Sequence, residues 1–201
     1  MANYTNEQRR AKKEELMEKC YAGFAELGLH KTSIRTLAKH CGLNPSMIYT
    51  YFNDLDDLII QSTNYCMSKV EDDFMQKAPV DVRDLWRFID EIPCWTKERH
   101  GAKYRLMYQV YTHPKYQQYG KEFFAGVDKR YSEYAKSLEP KLGIPCPQLT
   151  ALIFILIRAC VHYCLFDDEF YLKSQIDVLK ETLVLYISKY NPQALAKEKQ
   201  R

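Results

Sequence analysis

The stretch that most restricts what this chain can become is Thr32 to Phe52, TSIRTLAKHCGLNPSMIYTYF. Ile34, Leu37 and Ala38 recur at helical spacing, and Thr32 or Ser33 ahead of them can cap a helix with a side-chain oxygen. His40, Cys41 and Gly42 then form a turn. Asn44 followed by Pro45 opens a second helix, because Asn accepts from amide groups with no helical partner and Pro at the first position gives up only a donor that was unpaired anyway. Ile48 and Phe52, four apart, face inward, so Ser46, Met47, Tyr49 and Thr50 face mostly out. Upstream, Leu16, Cys20, Phe24 and Leu27 lay an apolar stripe along a helix from Glu7 to Leu27 that Gly28 ends. Three short helices around one small core predict an N-terminal helix-turn-helix unit over residues 1–53.

The rest of the chain, 54–201, reads as a larger helical body, joined to the first unit by a helix rather than by a loose linker. Asn53 and Asp54 start that helix, Leu55 to Lys77, and Ala78-Pro79 closes it. Helical spacing continues over Asp81 to Thr96, Ala102 to Thr112, Lys115 to Leu138, Gln148 to Phe166 and Lys173 to Tyr190, with Pro93 as a kink or break. The polar tail from Asn191 to Arg201 is expected to fray. No alternating strand pattern occurs, so the class is all-α.

Charge is uneven. Residues 1–53 carry eight Lys/Arg against five Asp/Glu, whereas the remaining 21 basic and 21 acidic residues cancel. A small basic head on a neutral body suits a polyanionic partner. Leu149 to Cys164 is apolar but is interrupted by Arg158 and His162 and falls short of the roughly 20 residues a bilayer span needs. No membrane segment or signal peptide is read, and the protein is expected in the cytoplasm. Seven scattered cysteines fit reduced thiols.

A helix, a turn containing Gly42 and a second helix from Asn44 form the geometry that sets a helix in the major groove of DNA. Gly28, Thr32, Ile34, Arg35, Leu37, Ala38, Gly42, Leu43, Tyr49, Phe52 and Leu58 stand in an order and spacing that resemble the DNA-binding head of the TetR family of bacterial transcriptional regulators. The resemblance implies an all-helical protein with a three-helix DNA-binding head on a larger ligand-binding and dimerisation body. It implies that Tyr49 and Thr32 or Ser33 contact phosphates. It makes Arg35, Pro45, Ser46, Met47 and Thr50 candidates for reading bases, with Asn44 capping the helix that carries them and Tyr51 at the groove edge. The family often has Lys where Leu55 stands, so one phosphate contact is absent, for which Lys31 and Lys39 are candidate substitutes. The helix from Asn44 to Phe52 has no Arg, Lys or Gln, so bidentate reading of guanine is expected only from Arg35, while Met47, Thr50 and Tyr51 meet thymine methyls or groove shape.

In the body, the resemblance implies a homodimer through the last two long helices and a small-molecule effector. Leu149, Leu152, Ile153, Leu156, Ile157, Cys160 and Val161 cover much of one helix, and Ile176, Leu179, Leu183, Tyr186 and Tyr190 stripe the next. Such faces need cover on several sides, which a four-helix bundle with a symmetry mate supplies, the plainer reading being an intrachain core. Sixteen tyrosines are many for 201 residues. Tyr104, Tyr108 and Tyr111, with Trp86, Met107, Phe124 and Tyr163, are the candidate contacts of a hydrophobic or aromatic effector, against the alternative that each is an ordinary core or surface aromatic. Cys160 and Cys164 share a helix face and are weighed as a metal or redox sensor, with buried thiols the favoured reading. No phosphate loop, paired carboxylates or nucleophile motif occurs, so no catalytic residue, metal or cofactor is expected. Two rival readings stay open at this stage: a TetR-like protein acting through protein partners without ligand control, and a helical enzyme.

Overall fold

The structure is a computed structural model that describes residues 5–79 and 81–193, without the side chains of Lys31 and Val82. The tail beyond residue 193 and the Lys31 side chain, both of which figure in the sequence reading, lie outside the described residues. Among the described residues there are eight α-helices and no strand: α1 (Asn6–Leu27), α2 (Ile34–His40), α3 (Pro45–Tyr51), α4 (Leu55–Lys77), α5 (Leu85–Tyr111), α6 (Gln117–Leu142), α7 (Cys146–Phe166) and α8 (Glu169–Tyr190). Short 3₁₀ turns precede α2 and α5.

By packing, the chain divides into two units, Met1–Asp73 with Ala102–Phe123 and Phe74–Gly101 with Phe124–Arg201. In the first, α1 starts with a capping box in which Thr5 Oγ1 accepts from the Gln8 amide and Gln8 Oε1 accepts from the Thr5 amide. Leu16, Cys20 and Phe24 of α1, Leu37 and Ala38 of α2, Ile48 of α3 and Leu58 of α4 are buried, as the periodicity predicts. Each fully buried large apolar side chain in such a core contributes about 1.5–3 kcal/mol. α1 and α2 come so close at Gly23 that a Cβ there would stand 2.7 Å from Leu37 Cδ1 and 2.8 Å from Cys41 Sγ.

The same unit ties the head to α4, α5 and the segment after α5. Lys69 pairs with Glu18, the Tyr21 hydroxyl donates to the Lys103 carbonyl at 2.8 Å, and the Tyr111 hydroxyl donates to Asn64 Oδ1. Asp56, in the first turn of α4, accepts from Lys115 Nζ and from the Tyr116 hydroxyl. Those two donors, Lys115 first, hold the Asp56 carboxyl below its usual range.

The second unit has its core among Phe74, Ile89, Ile92, Tyr131, Leu138, Leu152, Leu156, Leu179, Leu183 and Ile187. Phe74 meets Phe88 and Tyr131 edge-on, each at 5.7 Å between centroids. α7 lies along α8. By length and composition alone α7, at 21 residues, is long and apolar enough for a membrane span, whereas the apolar run from Leu149 to Cys164 predicts none. Leu149, Leu152, Leu156, Ala159, Cys160, Val161, Tyr163 and Cys164 are instead buried within this unit, which accounts for its apolarity without a bilayer. Burial also raises the Cys160 thiol well above its ordinary value, so it stays protonated and unreactive.

One segmentation differs from expectation. The spacing predicts separate helices over 81–96 and 102–112, but α5 runs unbroken from Leu85 to Tyr111 with Pro93 inside it. Pro93 removes one amide donor, at a cost of about 3 kcal/mol in an isolated helix. Burial of Ile89, Ile92 and Thr96 around it, and of His100 and Gly101 beyond, offsets that cost. α6 likewise continues past Leu138 and through Pro140 to Leu142.

Candidate nucleic-acid interface

The head is built so that α3 presents one face. Ser33, rather than Thr32, caps α2: its Oγ accepts from the Thr36 amide at 3.1 Å. Thr32 is buried and its hydroxyl donates to the Gly28 carbonyl at 2.6 Å, so of the pair only Ser33 has an exposed side chain. At the other end of α2, Gly42 takes φ 65°, which lets the Leu43 amide reach the Ala38 carbonyl at 2.8 Å and turn the chain within three residues. A side chain at this φ would be strained, so the turn selects glycine.

Asn44 caps α3, Pro45 is its first residue, and Asn44 Oδ1 accepts from both the amide (3.0 Å) and the hydroxyl (2.8 Å) of Ser46. The Thr50 hydroxyl donates to the Ser46 carbonyl at 2.9 Å. Ile48 is fully buried and Phe52 nearly so, which fixes the rotation of the helix. Ser46, Tyr49 and Thr50 are therefore exposed, Tyr49 by 57%, while Pro45, Met47 and Tyr51 are half-buried. The Tyr49 ring is thus accessible to a partner.

The cations sort into two sets. On α1, Arg10 pairs with Glu14, while Lys12 and Lys19 both pair with Glu15. Lys13 lies over the Phe52 ring, 5.4 Å from its centroid. Those pairs hold the Glu15 carboxyl down at about 2, chiefly through Lys12. Arg35 and Lys39 on α2 are exposed and have no ion pair or hydrogen-bonded side-chain partner among the described residues. Positive charge open to an anion thus stands on the helix preceding α3, at Arg35 and Lys39, and also on α1 at Arg9, which is likewise exposed and unpaired among the described residues. The start of α4, by contrast, is acidic: Asp54 accepts from the Asp57 amide and Asp57 accepts from the Asn53 amide. Leu55 sits beside these carboxylates, half-buried. Besides the lysine missing at Leu55, the start of α4 carries an acidic cap whose signal in the sequence is Asp54, Asp56 and Asp57 together.

Residues 21–61, which span the end of α1 to the start of α4, match the model for bacterial regulatory proteins of the tetR family. Over these residues the chain is similar to the DNA-binding head of tetR-family regulators. No curated protein matches the sequence as a relative. Solved structures share the fold of the tetR-like chain. One from Mesorhizobium loti MAFF303099, assigned to the TetR family, is 17% identical with TM-score 0.66 and covers 88% of this chain and 97% of its own. The fatty acid degradation regulator FadR from Bacillus halodurans is 17% identical with TM-score 0.59, over 86% of this chain and 94% of its own. A TetR-family structure from Rhodococcus sp. is 12% identical with TM-score 0.60, over 88% and 100%.

The residues expected at an effector site of the tetR-like body fall in both units. Tyr104, Met107 and Tyr111 are buried and Tyr108 half-buried in the first, whereas Trp86 and Phe124 are half-buried and Tyr163 buried in the second. Lys97 lies over the Tyr163 ring, 4.1 Å from its centroid. Within the second unit, a cleft of about 370 Å³ is lined by Lys77, Pro79, Arg87, Phe88, Ile92 and Trp95 among others, and none of the seven expected residues lines it. A smaller apolar cavity of about 50 Å³ lies between Phe88, Tyr134, Leu138, Leu156 and Leu183.

Proposed function

We propose that the protein is a ligand-responsive repressor that a small hydrophobic or aromatic molecule releases from a palindromic DNA operator. Residues 1–53 act as the reader and 54–201 as the effector-binding and dimerising body. The observation that carries the reading is the pairing of an exposed, cation-free α3 face with the unpartnered guanidinium of Arg35 one helix earlier. Ser33 and Tyr49 contact phosphates with help from Lys39, and Thr32 serves by shaping the turn that positions Ser33. Asn44 and Pro45 set the entry of α3, Ser46, Met47, Thr50 and Tyr51 meet base edges, and Arg35 reads guanine.

Two copies joined through α7 and α8 present two heads to a two-fold site. Exposed large apolar side chains support this, because besides Tyr49 and Tyr119 those among the described residues, Phe166, Phe170, Val178, Val184 and Leu185, lie on those helices. Either Tyr104, Met107, Tyr108 and Tyr111 of the first unit or Trp86, Phe124 and Tyr163 of the second are the proposed effector contacts, each tested by its own substitution. Release requires the effector to prefer the DNA-incompetent state, with α4 carrying the change because it begins at the head.

The test is selection of binding sequences from random duplex DNA by the full-length protein, followed by gel-shift titration. A two-fold symmetric sequence should be enriched, with affinity that falls as salt rises. Arg35→Ala should weaken binding roughly 5- to 150-fold, the range of one good base contact, and remove dependence on one guanine. A guanine dependence that persists in Arg35→Ala removes that assignment. Failure to enrich any duplex removes the DNA-binding reading.

A further inference from the structure

Two hydrogen bonds on α3 fix what its exposed hydroxyls can offer a base. The Ser46 amide donates to Asn44 Oδ1 at 3.0 Å, so that atom of the carboxamide is the oxygen, not the nitrogen. The Ser46 hydroxyl lies 2.8 Å from the same oxygen, and since an amide oxygen only accepts, the hydroxyl is the donor. The Thr50 hydroxyl lies 2.9 Å from the Ser46 backbone carbonyl and donates there for the same reason. Both hydroxyl hydrogens are consumed within the head. Each oxygen keeps its lone pairs, and both residues are exposed.

In the major groove, the donors are the exocyclic amino groups, N6 of adenine and N4 of cytosine. Guanine shows only N7 and O6 there, and thymine only O4 and its methyl group. We propose that Ser46 and Thr50 act as hydrogen-bond acceptors that select amino-bearing bases, adenine or cytosine, at the operator positions they face. Turning either hydroxyl round to donate to guanine would take a donor from Asn44 Oδ1 or from the Ser46 carbonyl. Neither hydroxyl then offers guanine a donor, and Arg35 remains the bidentate candidate for it. This inference rests on the DNA-binding reading and adds the chemical class of base that α3 recognises.

The experiment uses the operator enriched from random DNA and the full-length protein. Positions facing the two residues are located as those whose base preference relaxes in Ser46→Ala and in Thr50→Val. The second substitution keeps the shape and the γ-methyl group while replacing the hydroxyl, with its lone pairs, by a second methyl. Those positions should hold adenine or cytosine. With unaltered protein, replacing such an adenine by deoxynebularine, or such a cytosine by the corresponding 2-pyrimidinone, removes only the amino group and should weaken binding roughly three- to tenfold, as loss of one hydrogen bond does. Combining the base analogue with Thr50→Val should cost no more than either change alone.

Fully additive losses, or no loss with the amino-deleted base, overturn the inference. So does a guanine at either position whose 7-deaza analogue weakens binding only when Ser46 or Thr50 is present. The base-analogue arm needs no protein variant, so misfolding of a variant does not affect it. If no duplex is enriched, it is the DNA-binding reading that fails, and the inference falls with it.

Discussion

Gly23 and Asp56 show two kinds of constraint on single side chains. Gly23 occupies the crossing of α1 and α2, where a methyl group would meet Leu37 and Cys41 at under 3 Å. Gly23→Ala should therefore lower the stability of the head by the ~1–3 kcal/mol of overpacking less the ~1 kcal/mol that Ala gains over Gly inside a helix, read as a lower denaturant midpoint with unchanged slope. An unchanged midpoint would mean that the two helices separate without cost. Asp56 is constrained by charge. Its carboxyl is held low by Lys115 and Tyr116, so its folded-state pKa lies below its unfolded value. Stability from this contact is present in full above the unfolded carboxylate value, about 4, and is lost as pH falls from there through the lower folded value. Asp56→Asn should thus lower stability at pH 7, by an amount that shrinks as the titration is carried below about pH 4. A difference independent of pH across that range would show that the ion pair contributes nothing.

Among the helices, those with a clear stripe and clear ends were legible in the sequence. α1 and α4 match their expected spans to within a residue, because Gly28 and Asp54 mark ends that local chemistry recognises. The start of α3 was equally legible from Asn44-Pro45. α5 was not: Pro93 and Gly101 are local breakers, and only the surrounding burial, which no local pattern encodes, carries the helix through them. The exposed positions of α3 followed from Ile48 and Phe52 alone, whereas the pairing of Arg10, Lys12 and Lys19 on α1 needed coordinates, since Lys12 and Lys19 converge on one Glu15. The α8 stripe was read nearly in register. Its buried row is Ile176, Leu179, Leu183 and Ile187, with Tyr186 and Tyr190 half-buried beside it. Leu183 packs in that row at the apolar cavity. Leu183→Ala should cost about 2–5 kcal/mol in unfolding free energy, measured by denaturant titration. A cost under 1 kcal/mol, below the usual range for a buried Leu, would place the residue outside the core.

At the scale of the molecule, the row that holds α8 to α7 and the face proposed to join two copies are different residues. Val178 and Leu185 are seven apart, share one side of α8, and are exposed, while Leu179 and Leu183 are buried. Burying an unpaired carboxylate in an apolar contact is costly enough to dissolve it, but on an open surface the same carboxylate is nearly neutral. The double variant Val178→Asp, Leu185→Asp should therefore keep the helix content and unfolding behaviour of a single chain while its mass by light scattering falls from that of two copies to that of one. A reader with two heads on one two-fold site gains from linkage a factor of roughly 10²–10⁴ over one head. The variant should lose about that factor on the full operator while its affinity for an isolated half-site stays the same. Loss of half-site binding as well would mean that the head had been damaged. Retention of the two-copy mass would place the dimer contact elsewhere than on this face of α8.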